Sequence, residues 1–156
     1  QWASFLPVML MMMALICGCA GSTTGGIKVI RLLLLHKEGV RSLHHLIHPR
    51  AVLSINFGGE SLPEEMIQSM HGFLALYVFV YGLLFLLVMA SGVDFYNTFA
   101  SVTACLSNVG ASIGSVASGY GHLPATAKVV LIFAMLAGRI EIMALMVIFM
   151  PSFWKG

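Results

Sequence analysis

A chain of 156 residues that is 59% apolar and 9% charged, with a mean hydropathy of +0.95, has too few polar residues to cover a soluble domain. Lipid is therefore the solvent for much of it, and at about 20 apolar residues per crossing there is room for only a few spans in one compact unit. A formal charge of +2 is too small to indicate a nucleic-acid partner.

The chain begins QWASF, with neither Met nor a basic segment ahead of its first apolar run, which predicts a start inside a larger protein rather than a signal peptide. Phe5 to Ala20 carry no charge, and the apolar pattern resumes from Ile27 to Leu35. Between them Gly18 to Gly26 read GCAGSTTGG, whose four glycines disfavour a helix. Unwound backbone at membrane depth must line water or protein, so a broken span beside a cavity is predicted. The same residues also fit a small-residue helix-packing motif. A phosphate-binding loop is excluded, because Gly21 and Gly26 have its spacing but Ile27 stands where Lys is required.

Residues His36 to Gln68 are polar and predict a connector, with a turn at Phe57-Gly58-Gly59. Lys28, Arg31, Lys37, Arg41 and Arg50 are five of the eight Lys and Arg residues, which places this segment in the cytoplasm. His36, His44, His45 and His48 read as solvated residues near a membrane surface rather than metal ligands. Phe73 to Ala90 then give 18 uncharged residues, with Tyr77 and Tyr81 inside, ending at Ser91-Gly92; this is a span running outward.

Asp94 is an N-cap candidate for a short helix to Leu106, followed by a polar, glycine-containing stretch. The pair is too short to cross, and a half-helix with an extended return is the pattern of a re-entrant pore loop. Ser107 to Gly114, SNVGASIG, offer carbonyls at the negative end of that helix, where a cation is favoured; S-N-x-G is also a common surface turn. Val129 to Met150 form a last span, with Trp154 and Lys155 as a cytoplasmic anchor. Its only charges, Arg139 and Glu141, must face protein or water, and two residues apart they lie on different faces, so each needs its own partner.

Cys17, Cys19 and Cys105 sit among apolar or small residues and read as reduced packing residues. No Ser-His-Asp, paired-carboxylate or H-E-x-x-H arrangement occurs, so an enzyme has little support. A broken-helix secondary transporter, binding its substrate at Gly18 to Gly26, and a noncatalytic membrane scaffold stay open on these residues alone.

Taken in order, GCAGSTTGGIKVIRLLL, LIHPRAV, GFLALYVFVYG, CLSNVGASIG, AMLAGRIEI and PSFWK resemble the Trk/Ktr/HKT superfamily of potassium transporters, in particular the membrane subunit of bacterial Trk systems. The resemblance implies an all-α membrane fold of four helix, pore loop, helix repeats around one pore. This chain would hold the end of the third repeat (residues 1–35), a cytoplasmic connector (36–70) and the whole fourth repeat (71–156). It implies a potassium selectivity filter at Asn108, Val109, Gly110 and Ala111, with Gly110 meeting K+ through its carbonyl, and a gating loop of Cys19, Ala20, Gly21, Ser22, Thr23, Thr24, Gly25 and Gly26 with Lys28. Arg139 and Glu141 would set the pore's electrostatics. It also implies potassium uptake or symport across a bacterial inner membrane with the C-terminus inside, K+ as cargo with no bound cofactor, a homodimer, and a cytosolic nucleotide-binding regulatory subunit. The basic segment from Lys28 to Arg50 lies on the side for such docking, or for lipid headgroups.

Overall fold

The computed structural model describes residues 5–16, 18, 25–48, 56–57, 60–61, 64–110 and 112–140. They form five helices: α1 (Phe5–Ile16), α2 (Val29–Ile47), α3 (Glu64–Ala90), α4 (Phe95–Leu106) and α5 (Ala125–Ile140). A two-residue antiparallel ribbon, β1 (Asn56–Phe57) with β2 (Glu60–Ser61), stands where the turn was predicted.

Leu, Met and Ala make α1 a strong helix former, and Pro7 is tolerated in its first turn. The helix breaks where the glycines predict, and the break is stitched at its base. Ile27 N–H donates to the Leu15 carbonyl at 3.0 Å and Val29 N–H to the Gly18 carbonyl at 3.0 Å, so carbonyls at the end of α1 are satisfied from across the gap. Gly26 permits this at φ 95°: a Cβ there would lie 2.7 Å from the Leu15 oxygen.

Helix α2 does not end at Leu35 but runs on to Ile47. The polarity that suggested a connector does not oppose a helix, because Leu, Lys, Glu and Arg are all good helix formers. His36, His44 and His45 thus sit on a helix and His48 follows at its C-cap, all exposed; His44 and His45 occupy the last turn, where the helix dipole favours positive charge. Between α2 and α3, Leu34 packs with Ile67, with Ile30 and Met70 alongside, and the Arg31 guanidinium lies 3.9 Å over the Phe73 ring.

Helix α3 begins at Glu64, ahead of the apolar run, and its 27 residues span about 40 Å. Glu65–Ala90 is long and apolar enough to cross a bilayer. Phe73, Tyr77, Val80, Leu84 and Val88 recur every three or four residues and are buried, whereas Val78, Phe79, Leu83 and Leu86 face outward. The buried stripe packs on α4, which is enclosed on several sides by α1, α3, α5 and a 3-10 turn at Gly114–Ser118.

Every residue of α4 from Ala100 to Leu106 is buried. On α5 the covered positions are Ala127, Leu131, Ala134, Ala137 and Gly138, nearly all small, which lets its backbone close on α4 without a hydrophobic driving force. The rest of the predicted last span, with Glu141, Trp154 and Lys155, lies outside the described residues, as do Cys17 and Cys19.

The small-residue seam gives a direct test. Ala134→Leu adds three carbons where exposure is 0% and should cost about 1–3 kcal/mol. Ile132→Leu, on the exposed side of the same helix, should leave stability unchanged. Thermal unfolding in detergent checks this, and equal melting temperatures for the two variants would refute the close packing of α5 on α4.

Candidate functional site

The site is built at the C-terminal end of α4. Ser107 caps the helix, and Asn108 follows with φ 53°, a left-handed conformation that Asn adopts more readily than other side-chain-bearing residues. Asn108 N–H donates to the Cys105 carbonyl and Val109 N–H to the Ala104 carbonyl, both at 3.2 Å. These are the two bonds of a Schellman ending, with Asn in the place usually taken by Gly. They take up the carbonyls of Ala104 and Cys105. The Leu106 carbonyl, at the negative end of the helix, lies between two glycines.

Those glycines come from different elements. A Cβ on Gly25, at the far side of the broken span, would collide with the Leu106 oxygen, and so would one on Gly138 of α5. In each case a hydrogen stands there instead and points at the oxygen, the arrangement of a weak Cα–H···O contact. Three backbones therefore meet with no side chain between them. The Gly138 gap admits a further contact, in which Asn108 Nδ2 donates to the Met135 carbonyl at 3.3 Å; a Cβ on Gly138 would sit 2.6 Å from that nitrogen.

Beyond Asn108 the chain turns back. Val109 and Gly110 are exposed, and Gly110 has φ 76° with nothing near the position of a Cβ. Five residues later Ser115 Oγ donates to Asn97 Oδ1 at 2.9 Å, in the first turn of α4. Gly114, at φ 74°, also lies against Tyr96 and Asn97. A helix of 12 residues, about 18 Å long, is thus retraced to its starting end, so helix and return leg reach only partway through a hydrocarbon core about 30 Å thick.

Among the predicted site residues, the structure brings together Asn108, Val109, Gly110 and Gly25 around the end of α4, while Gly26 lies against the Leu15 carbonyl of α1. Lys28 caps α2 at φ 60°, an uncommon conformation for a residue with a side chain, and its Cγ packs near Gly18. Arg139 is next to Gly138, in the last turn of α5 and exposed. Ala111, Glu141 and the loop residues Cys19, Ala20, Gly21, Ser22, Thr23 and Thr24 lie outside the described residues. The Gly25 and Gly138 contacts were not foreseen.

Sequence reasoning also passed over three tyrosines. Tyr81 Oη is 3.0 Å from Thr103 Oγ1, the buried Tyr77 hydroxyl faces that of Ser107, and Cys105 Sγ donates to Tyr120 Oη at 3.8 Å. The available signal was Tyr at i, i+4 in one apolar helix and Thr and Ser at i, i+4 in the next, since buried hydroxyls need partners. Among the described residues no group of His, Cys, Asp and Glu gathers to hold a metal ion.

Gly138→Ala and Asn108→Ala remove the same contact from opposite sides. Each should lower the melting temperature of the membrane-inserted protein, and the double variant should lose at least about 0.5 kcal/mol less than the two losses added. Strict additivity in that cycle would show that the α5 backbone does not hold Asn108.

Comparison with known proteins gives this geometry a context. Residues 1–155 match the family model of TrkH, described as a cation transport protein. The Trk system potassium uptake protein TrkH of Salmonella typhimurium is 47% identical over 99% of this chain, and the TrkG protein of Escherichia coli 38% identical over all of it; the chain spans 32% of each. The crystal structure of the potassium transporter TrkH from Vibrio parahaemolyticus superposes with a TM-score of 0.89 at 45% identity, covering 98% of this chain and 33% of that one. The all-α membrane architecture, with its helix, re-entrant loop and helix, is therefore shared with a solved transporter, and the chain belongs to the TrkH family of cation transport proteins.

Proposed function

We propose that this chain supplies one pore loop, and the intramembrane gate beneath it, to a transporter that takes up potassium across a bacterial inner membrane. The retracing of α4 by the return leg, fixed by the Ser115 to Asn97 hydrogen bond, is the observation that carries the reading. It leaves Asn108, Val109 and Gly110 at the turning point, where main-chain oxygens can replace the water around a K+ ion. Potassium uptake by the relatives supports the same cargo.

In this reading residues 1–35 close the third of four repeats, 36–70 form the cytoplasmic connection and 71–156 make the fourth, with the C-terminus inside. Ala111 completes the filter segment. The loop from Cys19 to Gly26, with Lys28, gates the pore, and the contact of Gly25 with the Leu106 carbonyl supports a position directly under the filter. Arg139, beside Gly138, opposes cations from the last helix, and with Glu141 it sets the pore's electrostatics. The whole transporter is a homodimer that docks a cytosolic nucleotide-binding subunit, and it moves ions without chemical catalysis.

Gly110→Ser in the full-length transporter tests this. A side chain strains the φ 76° backbone without meeting a neighbour, so the protein should fold while its filter oxygens shift. The K+ over Na+ permeability ratio in proteoliposomes should fall about tenfold, equivalent to about 1.4 kcal/mol of discrimination. Unchanged flux of both ions would point to a scaffold, and saturable flux at fixed stoichiometry to a broken-helix carrier; either result overturns the pore.

A further inference from the structure

Tyr77, Tyr81 and Tyr120 reach the pore helix from two elements, and their hydroxyls lie beside Ser107, Thr103 and Cys105 respectively. On α4 the polar residues behave differently in the two halves. Thr98 and Ser101 bond within their own region, Thr98 Oγ1 to the Val93 carbonyl and Ser101 Oγ to the Thr98 carbonyl. Thr103 and Ser107, a turn apart and both 0% exposed, instead look out toward α3. Tyr81 meets Thr103 at 3.0 Å, and Tyr77, one turn earlier on α3, faces Ser107. Rising numbers on α4 match falling numbers on α3, as two antiparallel helices in register require. The Tyr77 and Ser107 hydroxyls approach each other without reaching ordinary hydrogen-bond geometry, and neither has another protein partner.

Tyr120 closes another side. It lies on the return leg and accepts from Cys105 Sγ at 3.8 Å. Phe73 and Phe85 on α3 show that rings without hydroxyls pack in this layer equally well. The oxygens of the tyrosines are thus not needed to fill space. Those of Tyr81 and Tyr120 instead tie the last turn of the pore helix to α3 and to the return leg, and that of Tyr77 stands beside Ser107 at the helix end.

We propose that Tyr77, Tyr81 and Tyr120 form a collar of hydroxyls that fixes the radial position of the filter segment, and that they are positioning residues for discrimination between K+ and Na+. This rests on the pore reading above. Oxygen spacing and stiffness govern which dehydrated cation is accommodated, so slackening the collar lets the site contract around a smaller ion. Bulk conduction depends far less on that stiffness.

The test uses the full-length transporter in proteoliposomes, with Na+ and Rb+ as probes. Tyr81→Phe and Tyr77→Phe should each raise the Na+ to Rb+ flux ratio at least about threefold with Rb+ flux within twofold of the parent, since 1.4 kcal/mol would be a tenfold effect and one hydrogen bond is a fraction of that. Thr103→Val should match Tyr81→Phe, and combining the two should add nothing. Tyr96→Phe, which changes the fourth tyrosine, should keep the parental ratio. Should a tyrosine variant fail to insert, Thr103→Val and Ser107→Ala remove the same contacts from the other side and must raise the ratio. Parental ratios in all of these, or equal loss of both fluxes, overturn the collar. If Gly110→Ser shifts the ratio while the collar variants do not, the collar alone fails; if Gly110→Ser is also silent, both readings fail together.

Discussion

The Leu106 carbonyl sits where three stretches of main chain converge, and much of the molecule follows from keeping that point free of side chains. Gly25 and Gly138 supply two of the stretches, and neither position admits even a methyl group. The oxygen is at the negative end of α4, so the junction concentrates polar backbone in a layer otherwise made of Leu, Val and Ala. Small residues along α5 bring its backbone near enough to join, and the stitched break between α1 and α2 brings Gly25. The turning point at Asn108 to Gly110 inherits its position from this junction.

Lipid as solvent explains why the main chain is paired on both sides of the helix break. A helix interrupted in water could leave carbonyls to the solvent; here Leu15 and Gly18 are capped by Ile27 and Val29 from across the gap. Hydroxyls on α4 bond to nearby carbonyls or face tyrosines. Arg31 lays its guanidinium on Phe73, so that a charge in the first turns of α2 shares an aromatic surface with α3. The apolar exteriors of α1, α3 and α5 carry none of this work and are free to meet lipid or neighbouring repeats.

Much of this was legible in the residues. Glycine content located the break between Ile16 and Val29, Asp94 located the start of the short helix, and polarity plus brevity marked it as re-entrant, because these are local properties of backbone freedom and length. Helix limits were less legible: α2 outruns Leu35 and α3 precedes Phe73, since the apolar period reports burial and not where hydrogen bonding stops. Gly138 was hidden because the need for its missing side chain arises only when α5 meets α4, thirty residues away in sequence. The tyrosine contacts were hidden for a similar reason. A hydroxyl's partner across two helices depends on their register, which neither sequence states alone.

That register has a mechanical meaning. Tyr81 with Thr103 and Tyr77 with Ser107 are separated by four residues on both partners, so α3 can slide along α4 and recover a matching hydroxyl only after about 6 Å. Every smaller displacement strands oxygens against methyl groups. The two helices thus engage like a detent, resisting gradual creep and yielding, if at all, in a whole-turn click.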